Sequence, residues 1–354
     1  MITPKLFILP LFAAVLTLII TPMIRKMSLR YGAIDTPDSR KVHKMPIPTS
    51  GGVAIYIAFL FAVLFFNRPT PEILGLLVGL TIITCFGLLD DIFDLPPATK
   101  FMGQFLAALV VIYSGVRVEF ISNLLQNHST IIDLGFLSLP FTFLWIIGIT
   151  NAINFIDGLD GLAAGVSGIA AWTLGVVALM SGRYDAGVLA FTLGAAAFAF
   201  LPYNFSKTKK IFMGDSGSNF LGFGLAVVSI MGMVKIAAAF TMLLPMVILA
   251  VPILDTLFAI IRRLIAGKSP FEPDSSHLHH RIAKLGFSHK QTAFIIYTIS
   301  LLLAVVSVIS LNIEKKYSVT LLISAAAFLI FGAWALGLFK AEIKPLRKAK
   351  RLDS

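Results

Sequence analysis

The chain has 354 residues, of which 57% are hydrophobic and only 13% charged, and its mean hydropathy is +0.90. An average soluble domain is about 25% charged, so this composition excludes an ordinary globular protein. It indicates an all-α, polytopic integral membrane protein with one domain over residues 1–354. The net charge of +11 does not point to nucleic acid, because the basic residues lie in short loops beside apolar segments, where anionic lipid head groups attract them.

Eleven segments are predicted to cross the bilayer as helices, each needing roughly 20 apolar residues. They are residues 6–24, 51–66, 72–89, 101–117, 139–156, 161–181, 186–203, 217–234, 239–261, 291–311 and 318–339. The first lacks a small-residue cleavage site, so we expect a retained span rather than a signal peptide. With the N-terminus outside, 22 of the 29 Lys and Arg residues lie on the cytoplasmic side, as the positive-inside rule requires. The C-terminus then ends in the cytoplasm with a basic tail at 340–354.

The first polar motif in chain order is RKVHKMPIPTSGG, residues 40–52, between the first two spans. Lys44 in this stretch is either a phosphate contact or one more charge in a basic loop beside the membrane.

The third span ends in LLDDIFDLPP, where Pro96 and Pro97 stop the helix. Asp90 and Asp94 are four residues apart and share a helix face, with Asp91 beside them. Three carboxylates this close repel one another unless a cation screens them, and ligation by oxygen alone suits Mg²⁺. The structural alternative is a hydrated helix end.

The end of the fifth span reads NAINFIDGLDGLAAG. Asn151, Asn154 and Asp157 recur every three residues, which places them along one side of the helix, and Asp160 follows. These groups can hydrogen-bond a sugar, a ribose or a base, or support a metal. They can also form an Asx-rich turn between two spans.

The eighth span begins at FMGDSGSNFLGFG. Its Gly- and Ser-rich entry offers free N–H groups to a phosphate, and Asp215 can anchor the metal that the phosphate brings. The same residues can also cap the helix, and the two roles are compatible.

The stretch HLHHRIAKLGFS carries His277, His279, His280 and Arg281 in a long loop without a nearby cysteine. A histidine cluster can bind zinc. We favour an anion-binding role, because the Arg guanidinium can hold a phosphate with two parallel hydrogen bonds.

Acidic residues are thus concentrated at the cytoplasmic ends of the spans. Carboxylates, Mg²⁺ and basic residues are the groups that phosphoryl transfer uses, since its catalysis is largely positioning and charge neutralisation. At the membrane boundary, such a site could serve a lipid phosphate and a soluble nucleotide together. Two other classes stay open: an ion-coupled transporter, for which Asp255 in PILDT is the best argument, and a prenyltransferase that binds Mg-diphosphate through D-D-x-x-D.

The motifs LLDDIFDLPPATK, NAINFIDGLDGL, FMGDSGSNFLGF, PILDT and HLHHRIAKLGFS resemble those of the bacterial polyprenyl-phosphate N-acetylhexosamine-1-phosphate transferases. The resemblance implies transfer of N-acetylglucosamine 1-phosphate from UDP-N-acetylglucosamine to undecaprenyl phosphate at the cytoplasmic face of the inner membrane, with release of UMP. It implies Mg²⁺, with Mn²⁺ as a substitute. The product would start a cell-envelope polymer such as teichoic acid or O-antigen, and a homodimer would be compatible with the family.

The resemblance also assigns roles to residues. Asp215 is similar to the principal Mg²⁺ ligand, and Asp90 and Asp91 to the catalytic pair that completes the metal site, with Asp90 the candidate base. The implied substrate contacts are Lys44, Asp94, Lys100, Asn151, Asn154, Asp157, Asp160, His277, His279, His280 and Arg281. Because Leu278 interrupts the histidine run, the loop looks more like the UDP-N-acetylglucosamine branch. The muramyl-pentapeptide branch of peptidoglycan synthesis stays the alternative.

Overall fold

Helices dominate the structure, a computed structural model that describes residues 4–36, 45–66, 70–122, 131–232, 242–267, 269 and 277–338. In chain order the helices are α1 (Lys5–Tyr31), α2 (Gly52–Phe66), α3 (Pro71–Phe93), α4 (Pro97–Tyr113), α5 (Ser138–Ile156), α6 (Leu162–Met180), α7 (Tyr184–Asn204), α8 (Gly214–Met231), α9 (Leu243–Ile248), α10 (Ala250–Ile265), α11 (Leu278–Lys284), α12 (His289–Ser310) and α13 (Lys315–Ala335).

Two short antiparallel pairs of strands lie in the loops of the bundle. Strand β1 (Ile34–Asp35) pairs with β2 (Ile47–Pro48) between α1 and α2. Strand β3 (Phe120–Ser122) pairs with β4 (Ile131–Asp133) between α4 and α5. A 3₁₀ turn then leads into α5.

The predicted all-α membrane architecture is confirmed by the length and composition of the helices. Seven helices among the described residues are long and apolar enough to cross a bilayer, namely α1, α3, α5, α6, α7, α12 and α13, and α2 and α4 are shorter apolar helices. Large apolar side chains such as Phe7, Phe328 and Trp334 are exposed on the outer surface of the bundle, where lipid would cover them. The count of eleven spans and the orientation of the termini stay predictions.

The predicted ninth span, residues 239–261, is not one continuous helix. Helix α9 ends at Ile248 and α10 begins at Ala250, while residues 233–241 lie outside the described part. Pro252 stands in the first turn of α10, where its missing N–H breaks no intrahelical hydrogen bond. A proline there favours a new helix start over continuation of α9, a signal that hydropathy alone does not contain.

Helix α8 forms the centre of the bundle. Every residue from Ser216 to Ile230 is buried, as expected of a helix that is enclosed by others. Helices α2, α3, α5, α6 and α7 pack around it. At its first turn the backbones come very close, since a Cβ added at Gly52 would lie 1.9 Å from the Cα atom of Gly217. The start of α8 also lies beside the ends of α3 and α5, where the acidic motifs lie.

Candidate active site

The acidic motifs meet in one cavity of about 790 Å³ at the end of the bundle. We call it the carboxylate pocket. The side chains that line it include all six predicted site carboxylates and two histidines, namely Asp90, Asp91, Asp94, Asp157, Asp160, Asp215, His280 and His289. The convergence of acids from three distant motifs is therefore a property of the fold.

The aspartates of α3 lie at its C-terminal end, shortly before Pro96 and Pro97, as predicted. Asp94 follows the last helical residue with a φ of 51°, a left-handed conformation that Asp tolerates better than most residues. The backbone N–H of Leu95 donates to Asp90 Oδ1 at 2.8 Å. Asp90 is only 8% exposed, so its carboxylate is held in place at the inner wall of the pocket.

Lys100 connects Asp90 with Asp215. Its Nζ atom lies 2.6 Å from Asp90 Oδ2 and 3.3 Å from Asp215 Oδ2. The lysine belongs to the first turn of α4, which begins at Pro97, the second of the two prolines. Two carboxylates that are 125 residues apart in sequence therefore share one cation.

The amide of Asn154 orients Asp215 from the opposite side. Its Nδ2 group donates to Asp215 Oδ1 at 3.1 Å and to Ser218 Oγ at 2.9 Å. The other predicted amide, Asn151, does not line the pocket. It exchanges two hydrogen bonds with Gln104, at 2.9 and 3.2 Å, which ties α5 to α4. The assignment of Asn151 as a substrate contact therefore gains no geometric support, because its polar atoms already pair inside the bundle.

Asp91 faces the backbone of α8. Its Oδ1 atom accepts the Asp215 N–H at 2.7 Å, and its Oδ2 atom accepts the Ser216 N–H at 3.3 Å and the Ser216 hydroxyl at 2.7 Å. The described residues contain no cluster of three or more His, Cys, Asp or Glu side chains arranged to hold a metal. Asp90 and Asp215 both contact the Lys100 ammonium, whereas both carboxylate oxygens of Asp91 accept hydrogen bonds from the start of α8.

The loop after α5 forms a second acidic wall. Asp160 Oδ2 pairs with the ammonium of Lys210 at 2.6 Å. Burial, with the carboxylates of Asp215, Asp91 and Asp160 nearby, raises the pKa of Asp157 to about 8. Asp157 keeps a partial opening toward the pocket, so a cation entering there would favour its ionised form.

Two residues that the sequence did not single out hold this loop. Asn204, at the end of α7, accepts the Gly161 N–H and donates to the Ile211 carbonyl at 2.9 Å. The Tyr297 hydroxyl donates to the Gly161 carbonyl. Lys210 was also missed, although the basic run KTKK before FMGD is a signal that could have identified it. The three residues link the loop to α7, α12 and the α8 entry.

The histidine loop, residues 277–281, is anchored by Asp255, and from Leu278 onward it forms helix α11 rather than the irregular loop that the sequence predicted. His277 Nδ1 lies 3.0 Å from Asp255 Oδ2, and the Leu278 N–H donates to Asp255 Oδ1 at 2.7 Å. Asp255 is 2% exposed, so the acid that best suited a transporter is occupied as the anchor of a loop. The structure thereby removes the main argument for a transporter.

The three histidines take different positions. Their rings follow one another, His277 stacked on His279 with centroids 5.8 Å apart and His279 against His280 at 4.2 Å. Of these three, only His280 is among the side chains that line the pocket. His279 is buried beside Gly158, and burial together with the His280 ring lowers its pKa to about 3, so its imidazole is neutral at pH 7. Arg281 follows on α11.

Part of the predicted site lies outside the described residues. This holds for Lys44, and the predicted basic tail at 340–354 also lies outside them. The end of the RKVHKMPIPTSGG motif is described, and its backbone forms hydrogen bonds with the residues just before α8. The Gly51 and Gly52 N–H groups donate to the carbonyls of Phe212 and Met213 at 2.9 and 2.8 Å.

Comparison with known proteins decides the family. Residues 73–233 match glycosyl transferase family 4. A probable undecaprenyl-phosphate N-acetylglucosaminyl 1-phosphate transferase of Bacillus subtilis (strain 168) is 38% identical, over 94% of this chain and 92% of its own length. The chain belongs to glycosyl transferase family 4. It therefore belongs among the polyprenyl-phosphate N-acetylhexosamine-1-phosphate transferases, as the motifs predicted.

Two further relatives of this family extend the comparison. A decaprenyl-phosphate N-acetylglucosaminephosphotransferase of Mycolicibacterium smegmatis is 36% identical, over 83% of this chain and 79% of its own length. An undecaprenyl-phosphate alpha-N-acetylglucosaminyl 1-phosphate transferase of Escherichia coli (strain K12) is 28% identical, over 90% of this chain and 89% of its own. The segment matched to glycosyl transferase family 4 contains the whole Asp90–Lys100–Asp215 arrangement.

Proposed function

We propose that this protein transfers N-acetylglucosamine 1-phosphate from UDP-N-acetylglucosamine to undecaprenyl phosphate and releases UMP. The observation that carries the proposal is the Lys100 ammonium between the carboxylates of Asp90 and Asp215. At this point in the pocket a positive charge already neutralises two carboxylates. Two phosphorylated reactants that meet in the pocket would need a cation in the same way. The names of the relatives supply the sugar and the lipid.

In the proposed reaction an oxygen of the lipid phosphate attacks the phosphorus that carries the sugar. A new P–O bond forms there, and the bond from that phosphorus to the bridging oxygen breaks. UMP leaves with the bridging oxygen, and the lipid retains a diphosphate-linked sugar. The attacking oxygen is already anionic at neutral pH, so no proton has to be removed. Asp90 accepts hydrogen bonds from Lys100 and from the Leu95 N–H. In this reaction it supplies negative charge that binds a cation, and it does not act as a base.

A divalent cation fits this donor set. Asp90 and Asp215 offer oxygen atoms toward a common point, and Mg²⁺ typically takes one or two carboxylates and completes its shell with phosphate oxygens and water. Bound there, Mg²⁺ would neutralise charge on the diphosphate. Asn154 holds Asp215 in orientation, and Lys100 is close enough to contact a phosphate once the carboxylates are otherwise neutralised.

The donor would lie between the loop after α5 and the histidine loop. His280 on α11 and Lys210 before α8 both line the carboxylate pocket, and both suit an anionic or hydroxyl-rich ligand. We place this end of the bundle in the cytoplasm, at the inner face of the cytoplasmic membrane, because most of the basic residues belong to the same side. The lipid product would begin a cell-envelope polymer such as teichoic acid or O-antigen.

The test is to incubate purified protein with undecaprenyl phosphate and a panel of UDP-sugars in Mg²⁺, and to identify the lipid product by mass spectrometry. We expect product and UMP in equal amounts from UDP-N-acetylglucosamine. Asp215→Asn should lose more than about 1000-fold in kcat, because the proposed metal site loses a charged ligand. Product from UDP-muramyl-pentapeptide instead would assign the protein to peptidoglycan synthesis. Absence of lipid product from every donor would refute the proposal.

A further inference from the structure

The contact between Asp91 and the start of α8 has no task in the reaction as proposed. The carboxylate accepts three hydrogen bonds from two consecutive residues, the Asp215 N–H, the Ser216 N–H and the Ser216 hydroxyl. The first N–H groups of any helix lack intrahelical partners. A carboxylate that accepts them is favoured by hydrogen bonding and by the helix dipole. Here the acceptor comes from a different helix, 124 residues earlier in the chain.

The surrounding backbone is built for this contact. Gly87 lies one turn before Asp91 on the same face of α3, and a Cβ there would lie 2.6 Å from the Cα atom of Ser216. Gly214 opens α8 with a φ of +73°, and a Cβ there would lie 2.5 Å from both oxygens of Asp91. A side chain at either position would force α3 and α8 apart. The two glycines thus permit the distance at which Asp91 can reach the helix start.

The other sides of the helix start are held as well. Gly51 and Gly52 bind the carbonyls of Phe212 and Met213 from the α2 entry, and Asn154 binds the side chain of Asp215 from α5. The backbone of Asp215 is therefore fixed by Asp91, and its carboxylate by Asn154. The result is a carboxylate directed at Lys100 and Asp90.

We infer that Asp91 is a positioning residue, which acts on the reaction only through the backbone of Asp215 and Ser216. This inference rests on the proposed function for its kinetic consequences. It assigns Asp91 a different task from the catalytic and metal-binding one that the motif predicted. Of the aspartate pair, Asp90 faces the reactants and Asp91 holds the element that carries the third aspartate.

The first test is kinetic and uses a double-mutant cycle between Asp91→Asn and Ser216→Ala. Asn retains one acceptor oxygen, so we expect Asp91→Asn to lower kcat roughly 10- to 100-fold, the equivalent of one hydrogen bond to a charged group, with the donor KM unchanged within about twofold. Ser216→Ala should cost only a few-fold. Because both changes act on one contact, the double variant should lose little more than Asp91→Asn alone. Glu72→Gln, at the opposite end of α3, is the matched control and should leave kcat unchanged.

The second test needs no substrate and therefore separates this inference from the proposed function. Amide hydrogen exchange of a peptide covering residues 211–218 should become faster in Asp91→Asn and Ser216→Ala, but not in Asp90→Asn. Mn²⁺ binding followed by electron paramagnetic resonance should persist in Asp91→Asn within about tenfold and disappear in Asp215→Asn. The inference stands if exchange rises and Mn²⁺ binding persists, even if no UDP-sugar is turned over.

The opposite results would overturn it. Unchanged exchange in both variants, strictly multiplicative losses of kcat in the double variant, or loss of Mn²⁺ binding in Asp91→Asn equal to that in Asp215→Asn would each show that Asp91 acts directly. If Asp91→Asn does not fold, Ser216→Ala decides alone: this variant removes one of the three hydrogen bonds to Asp91, so unchanged exchange at 211–218 together with an unchanged kcat would contradict the inference.

Discussion

The Lys100 ammonium lies between the carboxylates of Asp90 and Asp215, with its Nζ atom within 3.3 Å of both. In the proposed reaction a divalent cation binds at the same position. An ammonium and a metal ion cannot both take this position, so Lys100 must move when a cation binds to the two carboxylates. The same lysine would then be released toward the phosphates that arrive with the donor.

This competition predicts that Lys100→Met binds divalent cations more tightly while catalysing less. Removal of the ammonium leaves two carboxylates without their counter-charge, and we expect Mn²⁺ affinity in the substrate-free protein to rise roughly tenfold, the equivalent of about 1.4 kcal/mol. Electron paramagnetic resonance titration measures it, with Lys207→Met, at an exposed position of the same end of the bundle, as control. Weaker binding in Lys100→Met would show that the lysine supports the cation site rather than competing with it.

Asp157 predicts a dependence of stability on pH in the metal-free protein. Its carboxyl loses the proton near pH 4 when the chain is unfolded, but near pH 8 in the pocket. Between these values the folded state binds the extra proton, so the free energy of unfolding falls as pH rises and the loss is complete above about pH 8.

The measurement is the Tm in detergent with EDTA between pH 5 and 9, for the wild type and Asp157→Asn. We expect a shallower decline in Asp157→Asn, because an amide has no proton to lose. Addition of Mg²⁺ should also flatten the wild-type curve at high pH, since a nearby cation lowers the pKa of the carboxyl. Parallel curves for the two proteins would mean that Asp157 does not carry the effect.

At the scale of the helices, the packing of α2 against α8 holds the start of α8 in place. Gly52→Ala would bring a Cβ to 1.9 Å from the Cα atom of Gly217, a backbone atom that no rotamer change can move away. We expect the Tm to fall by at least about 5 °C, because overpacking of this kind costs typically 1–3 kcal/mol. Asp215 should be displaced with the helix, so kcat should fall too.

Gly148→Ala on α5 is the matched control for this change. A Cβ at Gly148 meets no atom within 4 Å, and alanine has the higher helix propensity. The Tm of this variant should stay equal or rise slightly, with kcat unchanged. A Gly52→Ala protein as stable and active as Gly148→Ala would show that α2 and α8 can separate without cost.

The elements differ in how far sequence could predict them. The acidic motifs were predictable as one site because each stands at an end of an apolar span on the same side. The partner of each carboxylate was not, because it depends on how α3, α5 and α8 pack. Asp91 and Asp90 are adjacent in sequence, yet one faces a backbone and the other a lysine. Asn151 has the same helical spacing as Asn154, but its partner Gln104 lies on another helix.

For the whole molecule, hydropathy predicted the membrane class and most of the helices, since a long apolar segment has few other stable forms in lipid. It did not predict the separation of α9 from α10, because a proline in the first turn of α10 favours a new helix start while the segment as a whole stays apolar. The amphipathic α10 turns Asp255 inward to the histidine loop and leaves Leu257, Leu264 and Ile265 exposed. The mean hydropathy of a sequence window does not record which face each residue takes, so such an amphipathic helix looks like an ordinary membrane span.

The orientation of the molecule yields the last prediction. If the carboxylate pocket faces the cytoplasm, Lys209 beside it and Arg183 at the other end of α7 lie on opposite sides of the membrane; both are exposed. In a Cys85→Ser background, which removes the one native cysteine, a membrane-impermeant maleimide should label Arg183→Cys in intact cells. It should label Lys209→Cys only after the membrane is opened. The reverse pattern would place the pocket outside, where UDP-sugars made in the cytoplasm could not reach it, and would contradict the proposed transfer at the inner face.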